Sequence, residues 1–114
     1  MDVSGLIGQE LNSVCFVEDY LELYFGDASL ILFAWPYVML PEFSVAYGEP
    51  EYRNALCAQI GEQVAEAMLE EGASLTIELA NGVVLGLSLR EEDLDAPVSG
   101  SYSETGLAED AFEF

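Results

Sequence analysis

Polar and apolar residues alternate strictly through Ser74, Leu75, Thr76, Ile77, Glu78 and Leu79. Successive side chains of a strand point to opposite faces, so this spacing predicts a half-buried strand with Leu75, Ile77 and Leu79 inward. Leu21, Leu23 and Phe25 follow the same period. Six strands are predicted in all, near 10–17, 20–25, 29–35, 63–69, 74–79 and 83–89. Turn residues separate them at Glu18-Asp19, Gly26-Asp27, Glu71-Gly72 and Asn81-Gly82. Asn81-Gly82 predicts a two-residue type I′ hairpin loop, which requires positive φ at both central positions.

The strands recur in order. Residues 6–35 and 59–89 share one pattern, which suggests internal duplication. Ile7-Gly8 matches Ile60-Gly61, and Leu11 matches Val64. Leu21, Leu23 and Phe25 match Leu75, Ile77 and Leu79, and Asp27 matches Asn81. Ile31, Phe33 and Trp35 then match Leu85, Leu87 and Leu89. The expected fold is therefore a β-rich α+β domain. It consists of two pseudo-symmetric three-stranded antiparallel meanders, forming one sheet or a partly open barrel, with one connecting helix. The helix is expected to start at Pro50, where a missing N–H costs nothing. Tyr52, Ala55, Leu56 and Ile60 make its apolar stripe, and Gly61 ends it.

Three segments lack such periodicity. Residues 36–49, with Pro36, Pro41 and Gly48, read as an irregular aromatic-rich loop. Residues 90–95 are a charge run. Residues 96–114 read as an acidic, poorly anchored tail, leaving 1–95 as the single domain. In the alternative, Phe112 and Phe114 dock on the domain or on a neighbour.

Charge changes the picture more than any motif does. Of 114 residues, 22 are Asp or Glu and only Arg53 and Arg90 are basic; with no histidine, the net charge is −20. Such a field repels nucleic acid and anionic membrane and attracts basic proteins. Direct nucleic-acid binding is not expected, because it needs a Lys/Arg footprint. The longest apolar stretch, 30–41, contains two prolines and is too short for a membrane span. The N-terminal residues carry no secretory pattern, so a cytoplasmic location is expected. Cys15 and Cys57 are expected as reduced thiols in the core.

Catalytic chemistry finds little footing. A Ser or Cys nucleophile usually needs a base, and zinc usually takes histidine or clustered cysteine. No cofactor is expected. Glu91–Asp95 is the best candidate for calcium, yet its spacing does not fit an EF-hand loop. What remains is a binding surface. Aromatic residues gather in the first repeat and its following loop, at Tyr20, Tyr24, Phe33, Trp35, Tyr37, Phe43, Tyr47 and Tyr52. Tyr and Trp are favoured interface anchors. The expected partner-binding set is Tyr20, Tyr24, Trp35, Tyr37 and Tyr47 with the acids Glu18, Asp19 and Glu22. The expected partner is a basic protein, such as a toxin or nuclease. The alternative is a structural or assembly module, a homodimer included, whose acidity serves solubility.

The runs Leu6-Ile7-Gly8-Gln9, Asp19-Tyr20-Leu21-Glu22-Leu23-Tyr24-Phe25, Trp35-Pro36 and Tyr52-Arg53-Asn54-Ala55-Leu56-Cys57 precede Ile60-Gly61 and Leu87-Ser88-Leu89-Arg90-Glu91-Glu92-Asp93. Over roughly residues 5–95 this series resembles a family of small uncharacterised bacterial proteins. The resemblance implies a strand-and-turn architecture and brings no catalytic residue with it. Small acidic bacterial proteins of this kind are often immunity proteins or inhibitors, an analogy that fits the charge.

Overall fold

Alternating strands need an apolar layer to face, and the computed structural model, which describes residues 3–90 and 99–114, shows that layer. A short 3-10 turn, Ser4–Leu6, leads into β1 (Leu11–Phe16), β2 (Leu21–Phe25) and β3 (Ala28–Leu32). Then follow β4 (Tyr37–Met39), β5 (Ser44–Val45) and α1 (Tyr52–Cys57). β6 (Val64–Glu70), β7 (Ser74–Leu79) and β8 (Val84–Ser88) complete the second meander. β9 (Gly100–Ser103) and β10 (Phe112–Glu113) close the chain. All described strand pairs are antiparallel.

The strands form two five-stranded sheets, in the orders β1-β2-β3-β9-β10 and β5-β4-β8-β7-β6, instead of one six-stranded sheet. Leu21, Leu23, Phe25, Leu30 and Leu32 of the first share one core with Leu75, Ile77, Leu79, Leu85 and Leu87 of the second. The sheets meet where β1 and β6 begin, through a bridge between Glu10 and Gln63. Gly8 N donates to the Val64 carbonyl, as Gly61 N donates to that of Leu11. Leu11 N donates to Glu62 as Val64 N donates to Gln9. A register shift follows in each strand, between Leu11 and Ser13 and between Val64 and Glu66.

Several expectations need correction. The third strands do not align as the sequence suggested. Leu21 pairs with Leu32 and Leu75 with Leu87, so Leu30 and Leu32 occupy the inward positions of Leu85 and Leu87. Ile31 is only half-buried and Phe33 is exposed. The cause is loop length. Gly26-Asp27 is a two-residue loop between Phe25 and Ala28, with φ 61° at Gly26. Asn81-Gly82 is not a type I′ pair, because no described non-glycine residue has positive φ. Leu79 N donates to Val83, giving the three-residue loop Ala80-Asn81-Gly82 with φ 90° at Gly82. A side-chain clamp holds it: Val83 N donates to Asn81 Oδ1 (3.0 Å) and Asn81 Nδ2 to Gln59 Oε1 (2.8 Å).

The supposed loop 36–49 carries β4 and β5. Its prolines, Pro36 and Pro41, flank β4 without interrupting it, and Val38 is buried between exposed Tyr37 and Met39. The supposed tail is equally structural from residue 99 on. β9 takes a place beside β3, Tyr102 is buried, and Phe112 and Phe114 pack against the core. Helix α1 is shorter than expected; it buries Tyr52 and Leu56 and leaves Ile60 exposed. Cys15 and Cys57 are free but exposed, not in the core. Cys15 pairs across from outward-facing Glu22, so strand alternation places it on the solvent side.

Candidate functional site

The β1–β2 turn gathers most of the expected site. Val17 and Tyr20 close it through paired backbone bonds of 2.9 and 3.4 Å, leaving Glu18 and Asp19 exposed at its tip. Phe16, just before the turn, pairs across from buried Leu21 and so lies on the core side. Tyr20, just after it, meets Phe33 edge-on with centroids 6.0 Å apart.

From Phe16 an aromatic chain runs outward. Phe16 stacks on Trp35 at 6.1 Å, and Trp35 stacks on Tyr47 at 4.1 Å with their planes 9° apart. Tyr52 of α1 sits beneath, edge-on to Tyr47 at 5.7 Å and to Phe16 at 6.4 Å. Its hydroxyl donates to the buried Pro36 carbonyl at 2.6 Å. Burial pushes the Tyr52 phenol well above the usual tyrosine range, and nearby Tyr47 adds to the effect. Arg53, the next residue of α1, covers the Phe16 ring at 5.4 Å. The 49–51 segment adds Glu49 and Glu51; Glu49 Oε2 accepts from Ala46 N at 2.6 Å and holds the loop that carries Tyr47.

The structure therefore divides the expected residues. Glu18, Asp19, Tyr20, Trp35 and Tyr47 belong to the aromatic end of the first sheet and its turn. Trp35 is stacked on both sides, so it closes the end of the core, and Tyr47 and Phe33 offer the exposed rings. Glu22 and Tyr24 lie on the outward face of the first sheet, where Tyr24 Oη donates to Glu22 Oε1 at 2.7 Å. That bond raises the Tyr24 pKa, with burial and the Glu22 charge acting the same way. Tyr37 sits apart from both groups, on the second sheet. Sequence reasoning passed over Phe16 and Arg53. Phe16 was read as an ordinary strand residue, and no local pattern places a helix arginine over a strand ring.

The calcium candidate Glu91–Asp95 lies outside the described residues. Among those described, no three His, Cys, Asp or Glu residues are grouped so as to hold a metal ion. No described helix is long and apolar enough to cross a membrane. Comparison with family models, curated proteins and solved structures returned no match.

Proposed function

We propose that the protein is a non-enzymatic, acidic binding protein that neutralises a basic protein partner, in the manner of an immunity protein or an inhibitor of a toxin or nuclease. One observation carries this reading. The acidic turn Glu18-Asp19 joins Phe16, which stacks on Trp35 and through it on Tyr47, to Tyr20, which packs on Phe33, in a chain of net charge −20. The field would speed encounter with a cationic surface, and the exposed rings would slow release. A cytoplasmic site of action is part of the same proposal. So is descent of the two meanders from one duplicated unit, which the reciprocal Gly8–Val64 and Gly61–Leu11 bonds support.

Salt-dependent capture from the native cell tests it, with Phe33→Ala/Tyr47→Ala and Glu18→Gln/Asp19→Asn as comparison proteins. The expected result is a basic protein whose association slows as salt rises. The aromatic double variant should lose it while melting cooperatively. Recovery of no basic partner, with self-association on dilution series, would refute the reading in favour of an assembly module. That second reading draws on one feature, the seven-residue edge strand β6.

A further inference from the structure

The outward face of the second sheet combines exposed apolar side chains with two facing glutamates. Cross-strand pairing aligns Tyr37, Gly86, Thr76 and Met68 in one row over β4, β8, β7 and β6. The next row is Met39, Val84, Glu78 and Glu66. Tyr37 is 53% exposed, Met68 58% and Met39 36%. Exposed apolar side chains thus stand at both ends of the face, Tyr37 and Met39 on β4 and Met68 on β6, and the two acids lie over β6 and β7.

One detail points to something outside the chain, and a second shows that the face can open. Glu66 and Glu78 are direct cross-strand partners and both exposed, a like-charge juxtaposition that destabilises a sheet. The chain's two arginines lie elsewhere, on α1 and just beyond β8, so neither strand supplies a counter-charge. Gly86 is the second. It occupies the middle strand, its φ is not positive, and its pairings with β4 and β7 run without a register shift. Its backbone thus does not require glycine; a close approach within the chain does. A Cβ there would collide with the Met39 methyl, which lies over the notch. A thioether is flexible enough to leave it.

The geometry points to this face as the docking surface for a basic amphipathic helix of a partner protein. Its apolar side would lie on Tyr37, Met39 and Met68, with one side chain in the Gly86 notch after Met39 swings aside. Its Lys or Arg residues would meet Glu66 and Glu78. Charge complementarity selects a cationic occupant over a second copy of this acidic chain. Size selects a helix: four strands span about 14 Å, against a helix diameter of roughly 10–12 Å. The inference rests on the proposed binding of a basic protein, and it names the partner's recognition element.

The test titrates the full-length ¹⁵N-labelled protein with an amidated helical peptide of about 15 Leu and Lys residues, leucines spaced along one face, and with its scrambled form. Amides of 37–39, 66–68, 76–78 and 84–86 should shift with the amphipathic peptide and not with the scrambled one. Tyr37→Ser/Met68→Ser should weaken binding about tenfold. Glu66→Gln/Glu78→Gln should weaken it several-fold at low salt, and little at about 0.5 M salt, where screening is nearly complete at such range. The same glutamine variant should melt a few degrees higher, because the repulsion is gone. A purely structural role for these glutamates would not combine higher stability with weaker binding. No binding, equal binding of both peptides, or concentration-dependent shifts of the same amides without peptide would overturn the inference. So would shifts confined to residues 18–20, 33 and 47, which would leave the proposed function standing on the aromatic end. Binding at this face with no basic protein recovered from the cell would do the reverse.

Discussion

Tyr52→Phe removes one hydroxyl and almost nothing else. The ring is 1% exposed and keeps its edge contacts with Phe16 and Tyr47, so no cavity of consequence opens. What is lost is the 2.6 Å bond to the Pro36 carbonyl, which then lies buried without that donor. Leaving such an acceptor unsatisfied costs about 1–3 kcal/mol. At this chain length that corresponds to a fall in Tm of roughly 4 °C per kcal/mol. The pH dependence is a second signature. Burial raises the Tyr52 pKa in the folded state above the unfolded value of about 10. The folded protein therefore holds a proton that the unfolded chain releases. The stability this contributes is fully present below about pH 10 and is lost as pH rises beyond it. Its limiting slope is about 1.4 kcal/mol per pH unit for one proton. Tyr52→Phe abolishes that term, so its deficit against the wild type should be largest near neutrality and shrink above pH 10. Urea unfolding followed by circular dichroism between pH 7 and 11 measures both effects. Equal stability at pH 7 with parallel alkaline slopes would refute the claim that this hydroxyl is sealed in the core.

Three further outcomes are expected. Truncation after Arg90 should abolish cooperative thermal unfolding, because it strips β9 from β3 and takes Tyr102 from the core; a tail that merely hung from the domain would leave Tm unchanged. Asn81→Ala should cost about 1–2 kcal/mol in chemical unfolding, since it breaks the clamp to Gln59 and Val83; Asn81→Asp keeps the Val83 contact and should recover part of the loss. The Asp110 carboxyl is held below its usual range by the Ser103 hydroxyl and then by Thr105. Its contribution is present above the ordinary carboxylate pKa of about 4 and disappears as pH falls through the lower folded value. Amide protection at 101–103, corrected for the intrinsic exchange rate at each pH, should accordingly fall on acidification before that at 75–79, and Ser103→Ala should erase the difference.

Much of the core was legible because its signal is local. A period of two assigns Leu75, Ile77 and Leu79 inward, Leu21, Leu23 and Phe25 share that period, and all six are buried. Alternation sets which face a residue takes, whatever the strand pairs with. The third strand of the first repeat misled, because Leu30, Ile31, Leu32 and Phe33 are all apolar and a run without alternation does not fix register. There a single residue of hairpin length, two in Gly26-Asp27 against three in Ala80-Asn81-Gly82, decided which set faced inward. The aromatic site was legible as a composition and not as a place. Tyr37 was grouped with Trp35 two positions away, yet β4 joins the other sheet and carries it off.

The amino-acid sequence by itself determined the charge, the two hairpin-rich segments and the inward faces of their best-patterned strands. It did so because solvation, turn conformation and side-chain alternation depend on near neighbours. Only the tertiary structure decided that there are two sheets, that β4 and β9 complete them, and that Phe16, Trp35, Tyr47 and Tyr52 form one aromatic cluster. Each of these depends on partners far away in the chain. Three or four residues of strand, such as Tyr37–Met39 or Gly100–Ser103, carry too little pattern to announce the edge they will join.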